Sequence, residues 1–449
     1  MVCGERKTMS GEKALSIAII GGTGEFGRLF ARIFREEGHR VVITGRDRAK
    51  GQKVSKSVGA EYTHDNAAAA KEADIVIISV PIEKTVEVIE EVAPHVRSGG
   101  LLMDFTSVKV RPAKAMLESA PEDVEIIGTH PMFGPRVAGL EGQTVILTPL
   151  RGGRWLDFLE GFFTGRKARV YISTPEEHDR TMAVVQGLTH FAYITTASTI
   201  RRLDIDVDHS RRFASPVYEL MLDFIARIVG QNPRLYAAIQ MHNPYVEEVH
   251  RVFIEEAQRL KEAVSRGDVD GFIGIMAASA RIFRDVDGSM GKSDKAISAL
   301  TSELKNLKGS VGKEVALRHI YSGKVHLGRV VSVDPETVVL ERKGLKKTLK
   351  ISNIELLSEE EALRWKREHL GTKQMDFSYV FPEEVDEKAL ARVAKDLDSA
   401  VVSCDVVDVF RGRQIPEGKK SVTLRAELME PEKAGLIEEL LQRLGGVRR

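Results

Sequence analysis

Cysteine is almost absent: the chain of 449 residues holds Cys3 and Cys404 and no other. Two distant cysteines give neither a disulfide framework nor a zinc pattern, which predicts a reducing compartment. Net charge is nearly absent too, with 66 basic against 65 acidic residues. The whole chain therefore offers no field for nucleic acid or membrane. No apolar run reaches the roughly 18 residues that a spanning helix needs. The opening MVCGERKTMS leads into no signal-peptide apolar stretch. Internal repeats and low-complexity tracts are missing as well. What these absences leave is an ordinary globular protein, expected in the cytoplasm, whose length calls for about two to four domains.

What is there changes character along the chain. Residues 14–173 alternate amphipathic stretches with the apolar runs LSIAII, VVIT, DIVIISV, GLLMDF, VEIIG, QTVILTP and RVYIS. These runs are rich in Val and Ile and lack period-two alternation, as strands buried on both faces of a parallel sheet do. The expected fold class is α/β, a doubly wound parallel sheet of the Rossmann-like kind. At Thr174 a capping residue is followed by Pro175 at the first helical position and by Glu177. From there residues 174–304 read as an all-helical domain for substrate binding and dimerisation, broken by a linker at 287–294. Residues 305–358 read as a small β-barrel, with 11 Lys and Arg against 4 Asp and Glu over 305–350. Residues 374–449 give strand, helix, strand, strand, helix, the order of a ferredoxin-like α+β domain.

The strand LSIAII runs into Gly22-Thr-Gly24-Glu-Phe-Gly27, which opens an amphipathic helix. Glycines here allow a tight turn and close approach of backbone to a pyrophosphate, which then sits on the free N–H groups of the helix. Gly22, Gly24, Glu25, Phe26 and Gly27 are the expected cofactor contacts. The second strand ends in Thr44-Gly45-Arg46-Asp47-Arg48. Arg46 and Arg48 suit the 2′-phosphate of NADP; the alternative is NAD, with Asp47 on the ribose.

Two polar motifs fall at carboxyl ends of strands, where this fold binds ligands: Thr106-Ser107-Val108-Lys109, and Thr129-His130 before Pro131. His130 there suits a proton acceptor beside a nicotinamide, with a nearby hydroxyl to fix its tautomer; a structural histidine is the alternative. In the helix after Thr174, Asp179 and His190 are eleven residues apart and face within about 20° of each other. With Ala183, Gln186 and Tyr193 they form one stripe, either a lined pocket or a satisfied buried network. His178 points elsewhere, about 18 Å along the axis from His190, so a metal site using both is not expected.

The segments SVK, GTHPMFGP, EEHDRTMAVVQGLTHF and SPVYELMLDFIARI, in this order, resemble the prephenate dehydrogenase family over roughly residues 14–290. The resemblance implies NADP-linked oxidative decarboxylation of prephenate to 4-hydroxyphenylpyruvate in tyrosine biosynthesis, with arogenate as the alternative substrate. It implies His130 as the catalytic histidine and Ser107 as its hydrogen-bonding serine. Lys109, Asp179 and His190 are placed towards the substrate, and Arg227 on one of its carboxylates. Glu219 departs from the pattern, because some members carry a second arginine there. Two rival readings are a reductase exchanging hydride between NADP and a deazaflavin, and a non-catalytic regulatory or RNA-binding protein. The first has no use for HPMFGP or an anion-binding arginine.

The later run DVFRGRQIPEGKKSVTLR resembles the ferredoxin-like anticodon-binding domain of phenylalanyl-tRNA synthetase. Lys419, Lys420 and Arg425 are few cations, so nucleic acid is not the expected partner. By analogy of fold, a module that binds tyrosine or phenylalanine as an effector is expected, with a purely structural or dimerising role as the alternative. A homodimer completes the expected assembly.

Overall fold

A computed structural model describes residues 14–449 apart from Ala138 and Ser399. Cys3 and the opening decapeptide lie outside the described residues. The chain divides into two compact units, one running to Val286 and the other from Asp287 to Arg449.

The first unit begins with eight strands: β1 (Ser16–Ile20), β2 (Arg40–Thr44), β3 (Glu61–Thr63), β4 (Ile75–Ile78), β5 (Leu101–Asp104), β6 (Glu125–Pro131), β7 (Thr144–Arg151) and β8 (Arg169–Ile172). They form one sheet in the order β3-β2-β1-β4-β5-β6-β7-β8. Both faces are covered, which explains the missing alternation. Ile17 and Ile19 pack towards Phe30 and Phe34 of the helix Glu25–Glu36. Ala18 and Ile20 pack on the other side with Ile89 and Val92 of the helix Ile82–Val92. The strand order reverses between β1 and β4, and that reversal opens a crevice at the carboxyl ends of the strands.

The sheet departs from the expected all-parallel form at one seam. β1 to β6 run parallel, but β7 pairs antiparallel to β6, with His130 opposite Ile146. Among the described residues no helix lies between β6 and β7 to carry the chain back across the sheet, and a return without a crossover gives antiparallel pairing.

Helices follow, and their starts are written in the sequence. Thr174 Oγ1 accepts from Glu177 N, with Pro175 at the first helical position of Pro175–Met182. Ser215 and Asn232 cap Pro216–Val229 and Pro233–His242 in the same way. The stretch Ala183–Leu188 is π-helical and joins Pro175–Met182 to Thr189–Arg202. Where a linker was expected over 287–294, the helix Val286–Lys308 runs through instead.

The second unit holds β9 (Glu314–His319), β10 (Val325–Val333), β11 (Thr337–Arg342), β12 (Leu345–Lys350) and β13 (Ile354–Leu356) in an antiparallel sheet ordered β12-β11-β10-β9-β13. The expected barrel does not close: β12 and β13 are the two outer strands and are not paired with each other. Closure is not needed to bury the sheet's apolar residues. Leu307 fills one cluster with Leu317, Val330 and Leu340, while Ala362 and Trp365 of the helix Glu359–Leu370 cover Ala316 and Leu327.

The last strands are β14 (Lys373–Pro382), β15 (Val401–Phe410), β16 (Lys419–Leu428) and β17 (Val447–Arg448), with the helix Glu387–Lys395 after β14 and Ala434–Arg443 after β16. Their order β15-β16-β14-β17 completes the ferredoxin-like pattern, the final strand being two residues long. Phe377, Tyr379 and Phe381 alternate onto the helices, against Leu390, Ala391, Ile437 and Leu441.

Candidate active site

The turn after β1 requires its glycines. Gly21 has φ +80°, and a Cβ there would lie 2.5 Å from the Ser79 carbonyl oxygen. A Cβ on Gly22 would lie 2.7 Å from the Cβ of Ile43, and one on Gly27 would lie 2.4 Å from the Gly22 Cα. Gly24 caps the helix Glu25–Glu36 without a side-chain acceptor, so the first-turn N–H groups stay open to a ligand. A dinucleotide pyrophosphate fits this cradle, with Glu25 and Phe26 in the first turn. Gly21 was not among the glycines expected from the motif; its position at the strand end is the signal that marks it.

Beyond β2, a cleft of about 410 Å³ is lined by Thr23, Arg46, Asp47 and Lys50. Arg48 does not reach it in the way expected: its guanidinium lies 3.1 Å from Nε2 of His64. Asp47 is engaged as a helix cap, its Oδ1 accepting from Lys50 N at 3.0 Å.

At the end of β5, Asp104 is wholly buried and gathers donors from Thr106, Thr129 and Lys109. Lys109 was expected to face substrate. It is instead fully buried with its ammonium on Asp104. Burial pushes the Lys109 pKa down and that of Asp104 up, each effect opposed by the partner's charge. Asp179 is also directed elsewhere than expected. Its carboxylate accepts from Lys109 N at 2.7 Å and Val110 N at 2.9 Å, tying the helix Pro175–Met182 to the loop after β5.

His130, near the end of β6, is 3% exposed. The hydroxyl of Ser107, expected to orient it, makes no hydrogen bond among the described residues; His178 does so instead. His130 Nδ1 lies 2.8 Å from His178 Nε2, and His178 Nδ1 lies 2.8 Å from Asp179 Oδ1. The acceptors assign the tautomers. A carboxylate accepts, so His178 carries its hydrogen on Nδ1 and leaves Nε2 as an acceptor. His130 then donates from Nδ1, and its free lone pair is on Nε2. Burial, the largest cause in each case, holds both rings below the ordinary histidine range and hence neutral at pH 7. Phe133 of the same segment packs on Phe26, ring centroids 6.1 Å apart, which joins the His130 segment to the glycine turn.

The expected stripe of Asp179 with His190 is divided. The π-helical Ala183–Leu188 lies between them, and i→i+5 bonding turns fewer degrees per residue than an α-helix. His190 packs instead on Tyr236, ring centroids 4.4 Å apart. Burial lowers the His190 pKa to about 4 and raises that of Tyr236, the latter opposed by the nearby charge of Arg227. His190 Nδ1 and Gln186 Oε1 are buried with no hydrogen-bond partner among the described residues. Gln240 bridges Gly187 O and His250. Arg227 makes no ion pair among the described residues, because Glu219 and Asp223 are both taken by Arg211. The geometry thus brings Arg227, Tyr236 and His190 together. Tyr236 carries no motif signal in the sequence, and His178 partners His130, 48 residues away, rather than His190.

Comparison with known proteins bears on the same residues. Residues 30–172 match the family model for the prephenate dehydrogenase nucleotide-binding domain, and residues 174–278 the one for its dimerization domain. Residues 372–443 match the ferredoxin-fold anticodon binding domain. A probable arogenate/prephenate dehydrogenase of Methanocaldococcus jannaschii is 42% identical, over 97% of this chain and 98% of its own length. The 4-amino-4-deoxyprephenate dehydrogenase of Streptomyces pristinaespiralis is 32% identical, over 58% of this chain and 88% of its own. The crystal structure of prephenate dehydrogenase from A. aeolicus, in complex with hydroxyphenyl propionate and NAD+, shares the fold. It superposes with a TM-score of 0.52 at 20% identity, over 62% of this chain and 100% of that one. With a full-length relative at this identity, the chain belongs to the prephenate dehydrogenase family of NAD(P)-dependent oxidoreductases.

Proposed function

We propose that this chain oxidises prephenate with NADP to 4-hydroxyphenylpyruvate, carbon dioxide and NADPH, with His130 as the base. The observation that carries the reading is the Asp179–His178–His130 chain, which leaves His130 Nε2 as a neutral proton acceptor. Nε2 takes the proton of the substrate's ring hydroxyl. A bound nicotinamide would supply the hydride acceptor for the carbon that bears this hydroxyl. The bond to the ring carboxylate then breaks, its electron pair aromatises the ring, and His130 returns its proton to the phenolic oxygen. The charge that His130 carries in between is shared through His178 with the anchored Asp179 carboxylate. A positioned base of this kind is worth about 10²–10⁴ in rate. Arg227, with no acidic partner among the described residues, is free for a substrate carboxylate. His190, protonated on its open Nδ1, offers a donor to the side chain, whose keto and carboxylate oxygens only accept. Turnover measured with prephenate and arogenate, each with NADP and NAD, tests this reading. NADPH and 4-hydroxyphenylpyruvate from prephenate are expected, and no turnover of prephenate with either cofactor would overturn it.

The active form is read as a homodimer through the helical region. The helix Val269–Ala280 has no buried residue, and Val269, Ile273 and Met276 are each more than half exposed. So broad an apolar face is the mark of a protein contact. The ferredoxin-like domain is read as a tyrosine or phenylalanine effector module. On its sheet, Phe377, Tyr379 and Phe381 are buried and Arg425 is paired with Asp376, which leaves Phe410, with Arg449 over its ring, as a single exposed aromatic among these residues and a poor platform for stacking RNA bases. Tyrosine inhibition lost on removing residues 374–449 would support the effector reading, and equal inhibition of both forms would refute it.

A further inference from the structure

The preference for NADP rests, in the reading above, on cations at the end of β2. We infer that Lys50, together with Arg46, is the residue pair that holds the 2′-phosphate, and that Arg48 is not part of the clamp. Arg46 and Lys50 line the same cleft with Thr23, and neither is in an ion pair among the described residues. Arg48, adjacent in sequence, is turned to His64. The acid that would hold both ribose hydroxyls in an NAD enzyme is Asp47, and its Oδ1 is occupied by Lys50 N. Two cations against one engaged carboxylate leave a net positive opening, suited to a phosphate monoester.

The surrounding turn is built to keep the two cations in register. The Tyr62 hydroxyl donates to Gly45 O at 2.8 Å. Gly51 follows Lys50, and a Cβ there would lie 2.1 Å from the Tyr62 ring, so only glycine lets the helix Arg48–Val58 close on that ring. Gly45 has the same need, since its Cβ would lie 2.6 Å from Thr23 Oγ1. Tyr62 therefore ties the turn bearing Arg46 to the helix bearing Lys50, and Thr23 of the glycine turn lies close against Gly45.

The test is a fluorescence titration of NADPH and of NADH into the full-length protein, with Lys50→Ala, Lys50→Arg and Arg48→Ala alongside the wild type. Lys50→Ala is expected to raise the NADPH Kd about tenfold, as loss of one charge-assisted contact does, and to leave NADH unchanged. Lys50→Arg is expected to retain tight NADPH binding, and Arg48→Ala to match the wild type. If the wild type binds NADH as tightly as NADPH, the NADP reading and this inference fall together. If the wild type prefers NADPH while Lys50→Ala keeps the same ratio, the inference alone is overturned.

Discussion

His130 donates from Nδ1 to Nε2 of His178 at 2.8 Å, across 48 residues of sequence. Asp179 fixes the tautomer of His178 and is itself held by two backbone N–H groups. This places His178 as a positioning residue, acting through His130. His178→Leu is expected to lower kcat about 10- to 100-fold while KM and NADPH affinity change little, because the lost interaction matters most when His130 carries charge. His178→Gln, whose amide still accepts from Nδ1, should recover part of that loss. An unchanged kcat in the Leu variant would remove the relay from the account.

The freedom of Arg227 depends on Arg211, which holds both Glu219 and Asp223. Asp223 stands one helical turn before Arg227, yet among the described residues its ion pair is with Arg211. Arg227→Ala is therefore expected to raise KM by roughly 10- to 150-fold with little change in Tm. A lowered Tm with KM unchanged would assign the residue a structural task.

Acid should destabilise the first unit through its buried histidines. Burial takes the His190 pKa from 6.5 to about 4. Between these values the unfolded chain binds a proton that the folded one refuses, so stability is full above pH 6.5 and is lost as pH falls towards 4. His190→Gln should show a smaller fall in Tm over that window than the wild type. Identical pH dependence in the two would show that His190 is not held neutral.

Much of the fold could be read along the chain because its signals are local. The glycine turn after LSIAII, the cap at Thr174, and the two-faced apolar strands all act within a few residues. What escaped the reading depends on contacts distant in sequence. The antiparallel pairing of β7 follows from a connection without a helix. The partnership of His130 with His178 comes from two elements brought together by the Asp179 anchor at Lys109 and Val110. Lys109 fits the motif yet is drawn to Asp104, a residue that looks like ordinary strand in GLLMDF. Likewise, a π-helical segment such as Ala183–Leu188 has no sequence signature comparable with a cap, so Asp179 and His190 looked closer to one face than they are.

The central claim is that His130 is the base, and one comparison tests it most directly. NADPH formation and carbon dioxide release from prephenate are measured for the wild type and His130→Asn, with the NADPH Kd determined for both. The account predicts a kcat lowered by about 10²-fold or more in the variant, both products falling together, with cofactor affinity preserved. A variant that binds NADPH normally and turns over prephenate at the wild-type rate would contradict it.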